Sequence, residues 1–303
     1  MHSRTANVLV KFTPVAHTYG MKIAVLSDIH ANPSALEAIG ADIEAWSPDF
    51  VVVNGDIVNR GPRPADCWEY VQEKVKHHGW QVTIGNHEEY VLNHLNPDRQ
   101  DKHFPMSWWT LGKMRAYIEP MRNLPAVWSH THPEGREVRA THASMSGSRV
   151  GLNPQDSIDK VRLGIAPAPA VLVVGHIHMP YVRPVDKTLL VNSGSAGQPC
   201  YGEKKGCYAR ITWENGGWNA EIQRVAYDRA KTQQQWFESG IFDETDLMTH
   251  IIYHEWRTAR PFMLKWFFEY APILQNEDVS EDELFAHFLD QENLGRATIN
   301  DPL

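Results

Sequence analysis

The chain has little cysteine, no long apolar run and no excess of basic charge. Its three cysteines (Cys67, Cys200, Cys207) include no Cys-x-x-Cys pair. A disulfide framework is therefore excluded, and a reducing compartment is expected. No apolar stretch approaches the length of a membrane span. Near the N-terminus Val8-Leu9-Val10 is interrupted by Lys11, which leaves no signal-peptide core. A cytoplasmic location without a membrane partner follows as the expectation. Lys and Arg number 29 against 37 Asp and Glu, a formal charge of −8. That balance offers no footprint for a nucleic-acid backbone, so no nucleic-acid partner is expected. Internal repeats and low-complexity tracts are missing too. What the chain has in plenty is histidine, 16 residues in 303, and several of these are ordered.

Met21 opens a strand, Lys22-Ile23-Ala24-Val25-Leu26, and leaves residues 1–20 as an N-terminal extension. A helix follows, with Asn32 as N-cap and Pro33 at the first helical position. The β-branched run Val51-Val52-Val53 reads as a parallel strand buried on both faces. A helix over 64–75 and a strand over 80–84 come next. Strand–helix–strand units of about thirty residues predict βαβ connectivity and a parallel sheet. Residues 88–123 break this rhythm with a helical insertion containing Phe104, Trp108, Trp109, Met114 and Tyr117. Strands return at 137–141, 170–174, 188–191, 207–213 and 218–225. Asn215-Gly216 predicts a tight hairpin between the last two, so the class is α/β with a mixed sheet. Helices follow at 228–239, 244–258, 262–270 and 281–290, the last with a capping box formed by Ser280 and Glu283. The expected organisation is a core over 21–227 and a helical C-terminal extension over 228–303.

Polar residues stand at the ends of the predicted strands. They are Asp28-Ile29-His30, then Asp56 with Arg60 beyond it, then Gly85-Asn86-His87-Glu88, then His142, then Gly175-His176-Ile177-His178. The first three sets are separated by 56 − 28 = 28 and 86 − 56 = 30 residues, one βαβ unit each. Such spacing returns them to one edge of the sheet, beyond the carboxyl ends where α/β sheets place ligands. Gly55 and Gly61 let the turn around Asp56 bend sharply. Asp-x-His alone ends many strands, but Gly-His-x-His puts two histidines on one side of an extended segment. Asp, His and Asn suit borderline-hard divalent ions. Asp28, His30, Asp56, Asn86, His142, His176 and His178 exceed the needs of one tetrahedral zinc. A two-metal site with a shared carboxylate is their natural use. The expected cofactors are two divalent or trivalent transition-metal ions, for which Mn, Fe, Zn and Co are equally suited.

The ordered signature D-x-H, G-D, G-N-H-[DE], a lone His and G-H-x-H, spread over residues 21–227, resembles that of the calcineurin-like metallophosphoesterases. Asn192-Ser193-Gly194-Ser195-Ala196-Gly197-Gln198-Pro199 is similar to the N-x-G-S-x-G-Q-P segment of one bacterial and archaeal branch. The resemblance implies two packed mixed β-sheets flanked by helices in four layers. It also implies that Asp28, His30 and His178 hold one metal, that Asn86, His142 and His176 hold the other, and that Asp56 bridges them. The implied activity is hydrolysis of a phosphomonoester or phosphodiester, a small molecule or nucleotide, by in-line attack of a metal-bridging hydroxide. His87 would be the general acid for the leaving oxygen, or else a histidine that orients neighbouring ligands.

Arg60 suits bidentate contact with phosphate, or pairs with a nearby acid. Gly-Asp-Ile-Val-Asn-Arg-Gly is similar to the G-D-x-V-D-R-G of protein phosphatases and dinucleoside tetraphosphatases, but Asn59 replaces the Asp. Asn accepts a hydrogen bond without bringing charge, so His87 should have a lower pKa than beside Asp. The alternative functions are therefore a serine/threonine-protein or dinucleoside-polyphosphate phosphatase, and a non-catalytic scaffold of the same fold. Trp108 and Trp109 either form a lid for an aromatic leaving group or pack their helix. Residues 262–270 are apolar nearly all round, so this helix is expected to be buried on more than one side. It packs on the core or forms a subunit interface that makes the protein a homo-oligomer. His77-His78 ends a helix, His130 and His132 read as a solvated loop, and Thr258 keeps His254-Glu255 from being a zincin motif.

Overall fold

Strand β1 (Met21–Leu26) sends Ile23 and Val25 to one face and Ala24 and Leu26 to the other, and all four are buried. β2 (Phe50–Asn54) does the same, with Val52 opposed to Val51 and Val53. Strands covered on both faces read as continuous apolar runs because neither face meets water. The computed structural model that shows this describes residues 20–96, 105–275 and 279–303. Apart from Gly20, the expected N-terminal extension lies outside the described residues, as does Phe104.

Among the described residues the strands form two five-stranded sheets. In the first, β1 pairs in parallel with β2, and β2 with β3 (Gln81–Thr83). On the other side of β1 lie the antiparallel β9 (Gly206–Glu214) and β10 (Gly217–Val225). Asn215 and Gly216 join that hairpin with φ of 53° and 76°, the left-handed pair a tight hairpin turn requires. The second sheet runs β4 (Val127–Thr131), β5 (Glu137–Thr141), β6 (Val171–Val174), β8 (Thr188–Asn192), β7 (Tyr181–Val185). Its β5, β6 and β8 are parallel.

The sheets pack face to face through Ile23, Val25 and Val52 of one and Val138, Val171, Val173 and Val191 of the other. Helices α1 (Pro33–Trp46) and α2 (Pro64–His78) cover the outer face of the first sheet. Further along come α3 (Asn86–Asn93), α4 (Pro105–Met114) and α5 (Ile118–Arg122). α6 (Ile158–Ile165) covers the outer face of the second sheet through Val161 and Ile165. The result is a four-layer sandwich of helices, sheet, sheet and helix. Asn32 caps α1 as the sequence predicts, its side chain accepting from the Ala35 N–H.

The C-terminal helices α7 (Arg229–Glu238), α8 (Ile241–Glu244), α9 (Leu247–Thr258), α10 (Phe262–Lys265) and α11 (Glu281–Gln291) build a second apolar cluster. Met106 and Trp109 of α4 join it while Leu111 and Met114 pack in the first core, so α4 bridges the two. Trp109 is thus a packing residue, and Trp108 lies over the His94 ring at 4.5 Å. The helix expected over 262–270 differs from the prediction. α10 passes into a π-helical turn at Trp266–Tyr270, where Phe262, Met263 and Trp266 are buried but Leu264, Phe267 and Phe268 are exposed.

The polar loop expected around His130 is a strand instead. β4 pairs antiparallel with β5, the His130 ring lies 4.4 Å from Phe50, and His132 is buried against Trp213 at 4.2 Å. Edge strands form by pairing with a neighbour, which a short polar pattern does not reveal. β7 escaped the sequence pattern for a related reason: Pro184 is tolerated there because β7 is an edge. We predict that Ile211→Ala, in the layer between the sheets, lowers unfolding free energy by about 2–5 kcal/mol. Leu163→Ala, on the exposed side of α6, should change it by less than about 0.5 kcal/mol. Denaturant titration of both variants checks this.

Candidate metal centre

Every strand end singled out by its polar residues arrives at the same place, but from two sheets. Asp28, Asp56 and Asn86 follow β1, β2 and β3, whereas His142, His176 and His178 follow β5 and β6. The spacing argument puts the first three sets on one sheet edge, and β1, β2 and β3 share a sheet; His142, His176 and His178 come from the second sheet, whose packing chain spacing does not reveal. The turns that carry these residues are tightly wound. Asp28, His30, Asp56, Asn59, Arg60, His176 and His178 all have φ between 48° and 67°. Non-glycine residues adopt this left-handed region at a cost and hold it only where surrounding structure enforces it. Gly85 and Gly175 supply the close approach: a Cβ at Gly85 would collide with the Asp56 carboxylate, and one at Gly175 with that of Asp28.

Both aspartates are buried and divide their oxygens in the same way. Asp28 Oδ2 accepts from the His176 amide at 2.9 Å, and Asp56 Oδ1 accepts from the His87 amide at 2.9 Å. Each is left with one oxygen facing imidazole: Asp28 Oδ1 lies 3.2 Å from His178 Nε2, and Asp56 Oδ2 lies 3.2 Å from His142 Nε2. The other nitrogens of those rings are committed to backbone carbonyls, which can only accept. His178 Nδ1 donates to Gln198 O at 2.9 Å, and His142 Nδ1 donates to Asn54 O at 2.9 Å. In the neutral rings, Nε2 therefore carries a lone pair aimed at a carboxylate oxygen. Lone pair against anion is repulsive unless a metal cation or a proton sits between them.

The same demand recurs nearby. Asn86 Oδ1 lies 2.8 Å from both His142 Nε2 and His176 Nδ1, and His30 Nε2 lies 3.0 Å from His178 Nε2. His30 Nε2 is also 3.8 Å from Asp56 Oδ2, so Asp56 stands between the two clusters. Among the described residues, ligand atoms lie within 4.8 Å of one another in three groups. These are Asp28, His30 and His178; His30, Asp56 and His87; and Asp28, Asp56 and His142. Titration behaviour reflects the crowding. Burial works against charging His142, yet the Asp56 charge and hydrogen bond raise it to about 10. Burial lowers His176 to about 4 with help from His142, and it holds His30 well below the ordinary histidine value. Asp56 falls well below the usual carboxylate range because His142 and His87 outweigh its burial.

Several residues that support this centre stand in the sequence motifs without a role assigned to them there. Glu88 is fully buried and holds the Asp56 turn with both oxygens. Oε2 accepts from the Asp56 and Gly85 amides at 2.8 and 2.9 Å, and Oε1 from the Ile57 and Val58 amides at 2.8 and 3.1 Å. It fills the last position of the G-N-H-[DE] motif, at the start of α3. The 192–199 segment braces the opposite side. Ser195 Oγ donates to Asp28 O at 2.8 Å, and Asn192 Nδ2 donates to Gly175 O at 2.7 Å.

His87 and Arg60 lie at the edge of the cluster, on the wall of a cavity of about 570 Å³. Asn59 departs from its expected part as acceptor. Its Oδ1 takes the Thr110 hydroxyl at 3.1 Å, and its Nδ2 donates to Ser107 at 2.8 Å and meets His87 Nδ1 at 3.0 Å. His87 is lowered to about 3, by burial first and by the Arg60 charge, with Asp56 opposing. Arg60 Nη2 donates to Glu255 Oε1 at 2.6 Å, an ion pair with an acid from α9. Glu255 belongs to the C-terminal helices, 195 residues away in the chain.

Comparison with known proteins identifies the family. The family model of the calcineurin-like phosphoesterase superfamily domain matches residues 21–216. An uncharacterized protein of Methanocaldococcus jannaschii is 28% identical over 232 residues, 70% of this chain and 90% of that protein. The crystal structure of a metallophosphoesterase from Sphaerobacter thermophilus superposes with a TM-score of 0.57 at 26% identity, covering 73% of this chain and 94% of that one. A hypothetical protein of Pyrococcus horikoshii shares the fold, with a TM-score of 0.64 at 20% identity over the same shares of the two chains.

Glu88→Gln leaves the shape intact but turns an NH₂ group toward backbone amides that already donate. It should lower unfolding free energy by about 3 kcal/mol, read from denaturant titration. An unchanged midpoint would show that the Asp56 turn does not depend on this carboxylate.

Proposed function

The chain belongs to the calcineurin-like phosphoesterase superfamily, and from that premise we propose that it is a binuclear metal-dependent phosphoesterase. One observation carries the reading: two buried carboxylate oxygens face imidazole nitrogens whose ring partners already donate to backbone carbonyls, so only a cation or an added proton fits between them. Such a donor set fits cations, and without them a proton on His142 balances Asp56. Asp28, His30 and His178 would hold one ion, Asn86, His142 and His176 the other, with Asp56 shared between them. Two such cations acidify water near neutral pH and neutralise phosphoryl oxygens.

The remaining work belongs to the protein's own groups. Glu88 and the left-handed turns hold the ligands so that little reorganisation is needed when charge develops. Arg60, its guanidinium oriented by Glu255, directs its other N–H groups at the phosphoryl oxygens. With Nδ1 accepting from Asn59, neutral His87 keeps its proton on Nε2, facing the leaving oxygen as a donor. A protein or dinucleoside-polyphosphate phosphatase is the weaker reading, since Glu255 offsets the arginine charge a polyanionic substrate would use. A scaffold is weaker still, because no ligand position has been replaced.

Metal analysis of the purified protein should find about two transition-metal ions per chain, and chelation should abolish phosphoester hydrolysis until Mn²⁺ is restored. Asp56→Ala should lose both metals and turnover; wild-type turnover in that variant would sink its shared role. His87→Ala should slow alkyl phosphates about a hundredfold more than nitrophenyl phosphate, and equal losses would remove it from the leaving-group side.

A further inference from the structure

The cavity of about 570 Å³ is far larger than a phosphoryl group and falls in the range of small-molecule sites. One side is the polar cluster of Asp56, Asn86, His87, His176 and His178. The facing side is apolar: Met248 and Ile252 from α9, Met263 and Leu264 from α10, Phe267 from the π-helical turn, and Met106 from α4. Apart from Met106, these residues lie beyond the stretch 21–216 that matches the family domain. Glu255 ties that wall to the centre. Its Oε1 pairs with Arg60 at 2.6 Å while its Oε2 accepts from the Met263 amide at 2.8 Å, so α10 stands at a set distance from the Asp56 turn.

Charge on the lining is already balanced. Arg60 pairs with Glu255 at 2.6 Å, Lys160 with Asp156 at 2.9 Å and Arg149 with Glu89 at 3.8 Å. A second phosphate or a carboxylate on the substrate would have to compete for each of these cations. Leu264 and Phe267, by contrast, are 47% and 46% exposed at the same cavity. Covering them would remove apolar surface from water, which is favourable. Three methionines let such a wall adapt to more than one shape.

We propose that the C-terminal helices form the leaving-group half of the catalytic cavity, and that the substrate is a phosphoester of an apolar alcohol without a second anionic group. The inference rests on the phosphoesterase reading and deepens it. In the reaction, water oxygen forms the new bond to phosphorus and the ester P–O bond breaks. The apolar alcohol leaves carrying one proton of that water.

The test compares phenyl phosphate, 2-naphthyl phosphate and ATP with the Mn²⁺-loaded full-length protein. kcat/KM should rise about tenfold from the phenyl to the naphthyl ester, as the added ring covers more of the wall, and ATP should be the poorest. The double variant Leu264→Ser with Phe267→Ser should reduce the naphthyl-to-phenyl ratio to near one. An unchanged ratio, or preference for ATP, overturns the proposal. Calorimetric binding of naphthylmethylphosphonate, which cannot be hydrolysed, separates this from the parent reading. If no ester turns over, the phosphoesterase reading fails. The apolar wall is then supported by binding about tenfold weaker in the variant and overturned by equal binding. Self-association that disappears in the variant while phosphonate binding is unchanged would assign the surface to a second copy and also overturn the proposal.

Discussion

Two carboxylates buried among imidazoles are the constraint on which the rest of this structure depends. Asp28 and Asp56 are withdrawn from water, each with one oxygen bound to an amide and one left facing a ring nitrogen. Burying an anion costs several kcal/mol unless charge and hydrogen bonds compensate it. Backbone amides compensate half of each carboxylate, and with Nδ1 of His142 and His178 committed to carbonyls, those rings can donate to the other half only by taking an added proton. The left-handed turns, the glycines in contact with the aspartates and the buried Glu88 all hold this arrangement. Each is unfavourable alone; together they make a site that calls for positive charge.

The second apolar core gives the molecule its other half. Trp236, Tyr253, Trp256, Trp266, Phe285 and Phe288 anchor the C-terminal helices, and Trp109 joins them to the insertion. Anchoring of this kind lets α9 extend a single carboxylate, Glu255, onto Arg60. A residue expected to clamp phosphate is thereby also the strut that positions the cavity's far wall. No described helix is long and apolar enough to cross a membrane.

Legibility followed the range of the interaction. The parallel strands, the cap at Asn32 and the hairpin at Asn215-Gly216 rest on neighbours in sequence, and the structure contains them where their residues predict. β4, β7 and α6 were not legible, since short edge strands and a helix of eight residues depend on the partner they pack against. His132 reads as polar in sequence because its stacking partner, Trp213, is remote along the chain. Residues 262–270 mislead in the opposite sense: composition reports apolar character but not which side is covered.

By itself, the sequence determined which chemistry-bearing residues end which strands, because strand patterns and turn residues are local and their order is covalent. Only the tertiary structure decided that two sheets bring those ends together, that Glu88 braces Asp56, and that Glu255 meets Arg60. Such contacts join residues 30 to 195 positions apart. They are selected by packing and by the cost of leaving buried charge unpaired, neither of which has a period along the chain.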